Sequence, residues 1–223
     1  MIKRILFSLL AYVLCAHALP VIATADPTQP IVPLTPAELI ACMPPAPKKW
    51  IVTRSVAKNT FSTWISTVAE RDFLRPPPPP LPGAPVPPKP PPPVTMTVSI
   101  TDTGNAADFK SLFSQPKSGS LPSGFTMLKI NDFPATKEVV DDTTTNLNIL
   151  IKNRFLVEIQ AKNLSDDDLQ ACANGFDFSK LVSTPDTGET NLPNPVIITQ
   201  IDELNPQKNG SYALHYATQK AHN

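Results

Sequence analysis

The sequence predicts an α+β fold, a mostly antiparallel sheet with helices packed on it. Three observations carry this. Residues 94–101 alternate without a fault: Val94, Met96, Val98 and Ile100 fall on one face, and Thr95, Thr97, Ser99 and Thr101 on the other. That is the pattern of a half-buried strand. Helix starts at Thr35, Asn105 and Ser165 punctuate a strand-rich middle. No regular βα alternation runs along the chain, so an antiparallel sheet is expected.

The chain has 223 residues, with 19 basic and 19 acidic side chains and 41% hydrophobic residues. That length suits one domain with appendages, and the apolar content suffices for a core. A net charge near zero argues against non-specific nucleic-acid binding and against a polybasic membrane surface. The unusual feature is 28 prolines against 7 glycines.

Residues 1–25 read as a secretory signal peptide. Lys3 and Arg4 precede an apolar run over residues 5–22, and Ala23-Thr24-Ala25 sets small residues before Asp26. Cleavage between Ala25 and Asp26 follows from that pattern. The alternative is an uncleaved anchor, since the run is nearly long enough to span a bilayer. Acylation at Cys15 is disfavoured, because Tyr12-Val13-Leu14 lacks the small residue such a site wants before the cysteine. The expected location is the bacterial periplasm or the medium, with no stable membrane insertion after cleavage.

Residues 26–34 read as an extended lead-in, 35–184 as the folded domain and 185–223 as a tail. Thr35 can cap the first helix, with Pro36 in its first turn and Glu38 to complete a capping box. Leu39, Cys42 and Met43 form its stripe, and Pro44-Pro45 ends it. Residues 50–53 form a short strand. Residues 61–74 fit either period, and the β-branched run favours strand. Residues 76–93 hold 13 prolines among 18 residues. They lack the donors for helix or central strand, and as polyproline II would reach about 55 Å.

After the strand at 94–101, Asn105 can cap a helix carrying Phe109, Leu112 and Phe113. Residues 125–130 and 135–140 read as strands around Asn131-Asp132. Residues 147–151 and 154–160 form a tight hairpin over Lys152-Asn153. Ser165 caps a helix opened by Asp166-Asp167-Asp168, whose charge suits the helix dipole, and Leu169, Cys172, Ala173 and Phe176 follow at helical spacing. Residues 196–201 and 211–218 make either a late hairpin or a mobile tail.

Cys42 and Cys172 remain after cleavage. In an oxidising compartment an even pair is most simply a disulfide. Closing a loop of about 130 residues would add roughly 4–5 kcal/mol. Two separate buried thiols are the alternative, and a redox pair would normally be Cys-x-x-Cys.

Several stretches resemble a loose bacterial family of small exported proteins of unknown function. They are Met43-Pro44-Pro45-Ala46-Pro47 with Trp50, Glu70-Arg71-Asp72-Phe73, and residues 98–104 ending in Asp102-Thr103-Gly104. Further on come Ile130-Asn131-Asp132-Phe133-Pro134-Ala135, Arg154-Phe155-Leu156-Val157-Glu158-Ile159 and Phe176-Asp177-Phe178-Ser179-Lys180-Leu181. The resemblance covers about residues 36–182 and implies a PsbP/Mog1-like sandwich, a sheet with helices on its faces. It also implies that the proline tract is an elongated connection between adjacent strands. It brings no catalytic residues.

The sharpest enzyme-like signal is Asp102-Thr103-Gly104 after an apolar strand, with a second copy at Asp186-Thr187-Gly188. Aspartic peptidases face two such aspartates across a shared proton. Here Pro185 precedes the second copy, no apolar strand leads into it, and the spacing is short for two lobes. Asp-Thr-Gly is simply good turn and helix-entry chemistry, and that reading is favoured over a peptidase. Only His215 and His222 follow the signal, so there is neither a Cys/His nucleophile pair nor a zinc set. No phosphate loop appears, and three consecutive aspartates on a helix lack calcium-loop spacing. The expectation is therefore a non-enzymatic envelope binding or interaction module without metal or cofactor. The alternatives are an aspartic-peptidase-like enzyme using Asp102, or a proline tract that docks to a partner's aromatic groove.

Overall fold

In a computed structural model, residues 31–61, 64–79, 90–104, 109, 113, 123–186 and 195–215 are described. The signal segment with Ala25 and Asp26, and most of the helix expected from Asn105, lie outside the described residues.

Nine strands form one antiparallel sheet. They are β1 (Ile51–Phe61), β2 (Ile65–Arg75), β3 (Val94–Asp102), β4 (Phe125–Ile130), β5 (Phe133–Asp141), β6 (Thr144–Ile151), β7 (Phe155–Lys162), β8 (Val196–Asp202) and β9 (Gly210–Leu214). Their spatial order is β4-β5-β6-β7-β3-β2-β1-β8-β9. Three short helices are described: α1 (Pro36–Ile40), α2 (Asp166–Asn174) and α3 (Ser179–Ser183).

This corrects the expected α+β sandwich with packed helices: the protein is mainly one broad sheet. The helical segments are short for local reasons. The Thr35 hydroxyl accepts from the Glu38 amide at 3.3 Å, while the Glu38 carboxylate accepts from the Thr35 amide at 2.8 Å. That box starts α1 firmly and holds the Glu38 carboxyl below its ordinary range, but Pro44-Pro45 allow no continuation. Ser165 accepts from the Asp168 amide to start α2, which stops at Gly175. The strands, by contrast, run long. β1 continues through Arg54, Lys58 and Asn59, far past its apolar start, because pairing with β2 and β8 on either side outweighs their weak strand propensity.

Register explains the core. Ala57, Ala69, Ile100, Val157, Ile149 and Ala135 lie opposite one another across six strands. They share one hydrophobic cluster with Leu39, Leu169, Ala173, Phe176, Phe178 and Leu181, so the helical turns close this face. The next row along, on the reverse face, is mostly polar: Val56, Glu70, Ser99, Glu158, Asn148 and Thr136. Two hairpin turns use left-handed residues, Asn131-Asp132 and Lys152-Asn153, at φ of 47° to 67°. β8 and β9 pair as a hairpin against β1, over a small cluster of Ile65, Val196 and Ile198.

The proline tract leaves the sheet at Arg75 and returns at Val94, which are cross-strand partners. It therefore joins neighbouring strands, and its described ends are exposed. Replacing residues 76–93 by Asn-Gly should close β2 and β3 with a two-residue turn. The expected melting temperature is unchanged within about 3 °C, since the described ends of the tract, residues 76–79 and 90–93, are exposed. Thermal unfolding followed by circular dichroism checks this, and a large drop would give the tract a structural role.

Candidate functional site

Asp102 ends β3 on the face that carries Met96, Val98 and Ile100, because side chains alternate along the strand. It is completely buried, at 0% exposure. Arg154 comes from the turn between β6 and β7 and reaches it because Phe155 pairs with Asp102 in register. Arg154 Nε donates to Oδ1 at 2.9 Å and Nη2 donates to Oδ2 at 2.8 Å. The Gly104 amide donates to Oδ1 and the Leu34 amide to Oδ2, each at 2.8 Å. Four donors occupy the roughly four acceptor positions of the carboxylate. Arg154 also donates to the Pro185 carbonyl at 2.9 Å, and its guanidinium carbon stands 4.8 Å from the Phe155 ring centroid. The pair thus ties together the lead-in, the end of β3, the β6–β7 turn and the segment after α3.

The second tripeptide converges on the same place. Asp186, about half exposed, lies 3.0 Å from Lys152 Nζ and 3.8 Å from Arg154 Nη1; Thr187 and Gly188 lie outside the described residues. The two aspartates approach one centre, but with cations beside both. A catalytic dyad needs two carboxylates so close that they share one proton. Here the Arg154 guanidinium contacts both instead. What this arrangement does chemically is hold chain segments together.

A second ionic cluster anchors the chain after α1. Arg71 donates from Nε to Ser55 Oγ at 2.9 Å and from Nη1 to the Pro44 carbonyl at 3.0 Å. Its Nη2 meets Glu203 Oε2 at 2.5 Å, which also brings in the end of β8. In the sequence Arg71 and Arg154 stand out only as members of the stretches that carry the family resemblance. Arg71 has Glu70 and Asp72 as neighbours and Arg154 follows the Lys152-Asn153 turn, so no local signal marks either.

Cys42 and Cys172 are half-buried free thiols here, and no bridge joins them. Both pack against the main core. Burial pushes both thiols above their ordinary range, so at neutral pH they are poor nucleophiles. Alkylation by iodoacetamide should be slower than that of a free cysteine at pH 7.5 and should rise with pH beyond 9. Mass spectrometry of timed samples checks this; fast modification at pH 7.5 would contradict it.

Between Pro45–Lys48 and α2 lies a cleft of about 490 Å³, and Cys172 is part of its wall. Trp50 and Phe176 form its apolar part, and both are nearly buried. The Arg75 guanidinium carbon lies 5.6 Å from the Trp50 ring centroid, and its Nη1 is 3.4 Å from Asp168 Oδ2. Arg75 is placed there as the last residue of β2. Among the described residues no group of three or more His, Cys, Asp or Glu side chains could hold a metal ion, and no helix is long and apolar enough to cross a membrane.

No family model, curated protein or solved structure matches this chain.

Proposed function

We propose that this chain is an exported binding module of the bacterial envelope and does its work without catalysis. The observation that supports this best is the contrast between its two polar centres. The only carboxylate in an enzyme-like motif after an apolar strand, Asp102, has 0% exposure and four hydrogen-bond donors on it. The Trp50–Arg75 cleft is open, has ligand-sized volume and mixes apolar and charged groups, as binding pockets do. The signal segment would supply the export.

A second reading has one observation in its favour. Pro76–Pro79 and Pro90–Pro93 are exposed and project from paired strand ends, which suits a proline loop offered to a partner's aromatic groove.

The test of the first reading is incubation of the purified chain with unfolded casein between pH 3 and pH 7. The expected result is no cleavage above a buffer control. Cleavage that disappears with Asp102→Asn would overturn the reading in favour of a peptidase.

A further inference from the structure

The cleft's charges say more than that something binds. We infer that it takes a small amphiphilic anion, an oxyanion head on an apolar tail or ring; this rests on the binding-module reading and names its ligand class. Pro47 and the small exposed parts of Trp50 and Phe176, 8% and 5% exposed, offer a limited apolar surface. Lys48 and Arg75 set two cations on the wall against one carboxylate, Asp168.

Neither cation is consumed. Lys48 is exposed and forms no ion pair with the described residues. Arg75 has one contact with Asp168, at 3.4 Å, too long for the parallel two-bond arrangement that Arg154 makes with Asp102 at 2.9 and 2.8 Å. Most of its five N–H donors are therefore left for a ligand. Its guanidinium carbon lies 5.6 Å from the Trp50 ring centroid, within cation–π range, which keeps the cation beside the apolar wall. A neutral apolar ligand would leave both cations unused, and a cation would be repelled. The cleft volume of about 490 Å³ lies within the range of small-ligand pockets.

Trp50 provides the readout. The chain has two tryptophans, and the other, Trp64, is 39% exposed and lies outside the cleft. In the full chain carrying Trp64→Phe, emission reports on the cleft alone. Decanoate should produce a saturable change, while octyl glucoside at equal concentration should not. Arg75→Gln should weaken decanoate about tenfold or more, as expected for one charge-assisted bidentate contact. Lys48→Gln, on the exposed loop and harmless to folding, should weaken it about threefold; raised salt should act in the same direction. Absence of a saturable change, equal response to the neutral detergent, or unaltered affinity in both variants would overturn the inference. Any of these with casein still intact would sink the anion site alone, whereas casein cleavage would sink the binding module itself.

Discussion

Arg154→Ala should lose about 3–5 kcal/mol of folding stability, the usual result of stripping one partner from a buried ion pair. The variant leaves the Asp102 carboxylate at 0% exposure with its two strongest donors gone. It also frees the Pro185 carbonyl and loosens Asp186, so the segment after α3 should detach from the sheet. For a domain of this size the melting temperature should fall by about 6–20 °C. Chemical unfolding by urea measures the loss. A paired substitution, Arg154→Met with Asp102→Leu, should recover a large part of it, because an apolar pair leaves no charge uncompensated. Failure of the pair to recover would place the stabilising contribution in the backbone contacts of Arg154, and a loss below about 1 kcal/mol would show the pair to be solvated.

Gly104→Ala is the second substitution with a large expected effect. Gly104 stands at φ +66°, and a Cβ there would lie 1.9 Å from the Ile31 carbonyl oxygen. The left-handed conformation alone costs about 1–2 kcal/mol for a residue with a side chain. The backbone collision cannot be relieved by a rotamer change, so the lead-in must move. Its departure would break the Leu34 amide bond to Asp102 Oδ2. The expected outcome is a loss of at least about 2 kcal/mol, together with faster proteolytic trimming around residues 31–34. Unchanged stability and unchanged trimming would mean that the lead-in does not rest against Gly104.

Much of the sheet was legible because its strands follow period two. Val94 to Thr101 alternates so cleanly that its apolar side could be named residue by residue, and Met96, Val98 and Ile100 are buried. The capping chemistry of Thr35 with Glu38, and of Ser165, was equally local and equally readable. The architecture was misjudged for a different reason. Helix signals at Thr35 and Ser165 are strong at their starts, yet they open helices of 5 and 9 residues. A start signal carries no length. In β1 the run Arg54–Thr60 has the composition of a loop, and only its neighbours on both sides make it a strand. The Asp102 node was half visible: the Asp-Thr-Gly turn stands out, but its meaning depends on Arg154, 52 residues away and brought there by sheet register. The cleft was invisible, since it joins the loop after α1, the end of β2 and α2.

The measurement that tests the account most directly is a paired assay on Asp102→Asn. Urea unfolding and acid-pH cleavage of casein are followed on the same preparations of this variant and of the unaltered chain. The account predicts a loss of about 3–5 kcal/mol in stability and no cleavage by either protein. A variant that melts like the parent while an acid peptidase activity of the parent vanishes would contradict it, and would make Asp102 a catalytic residue.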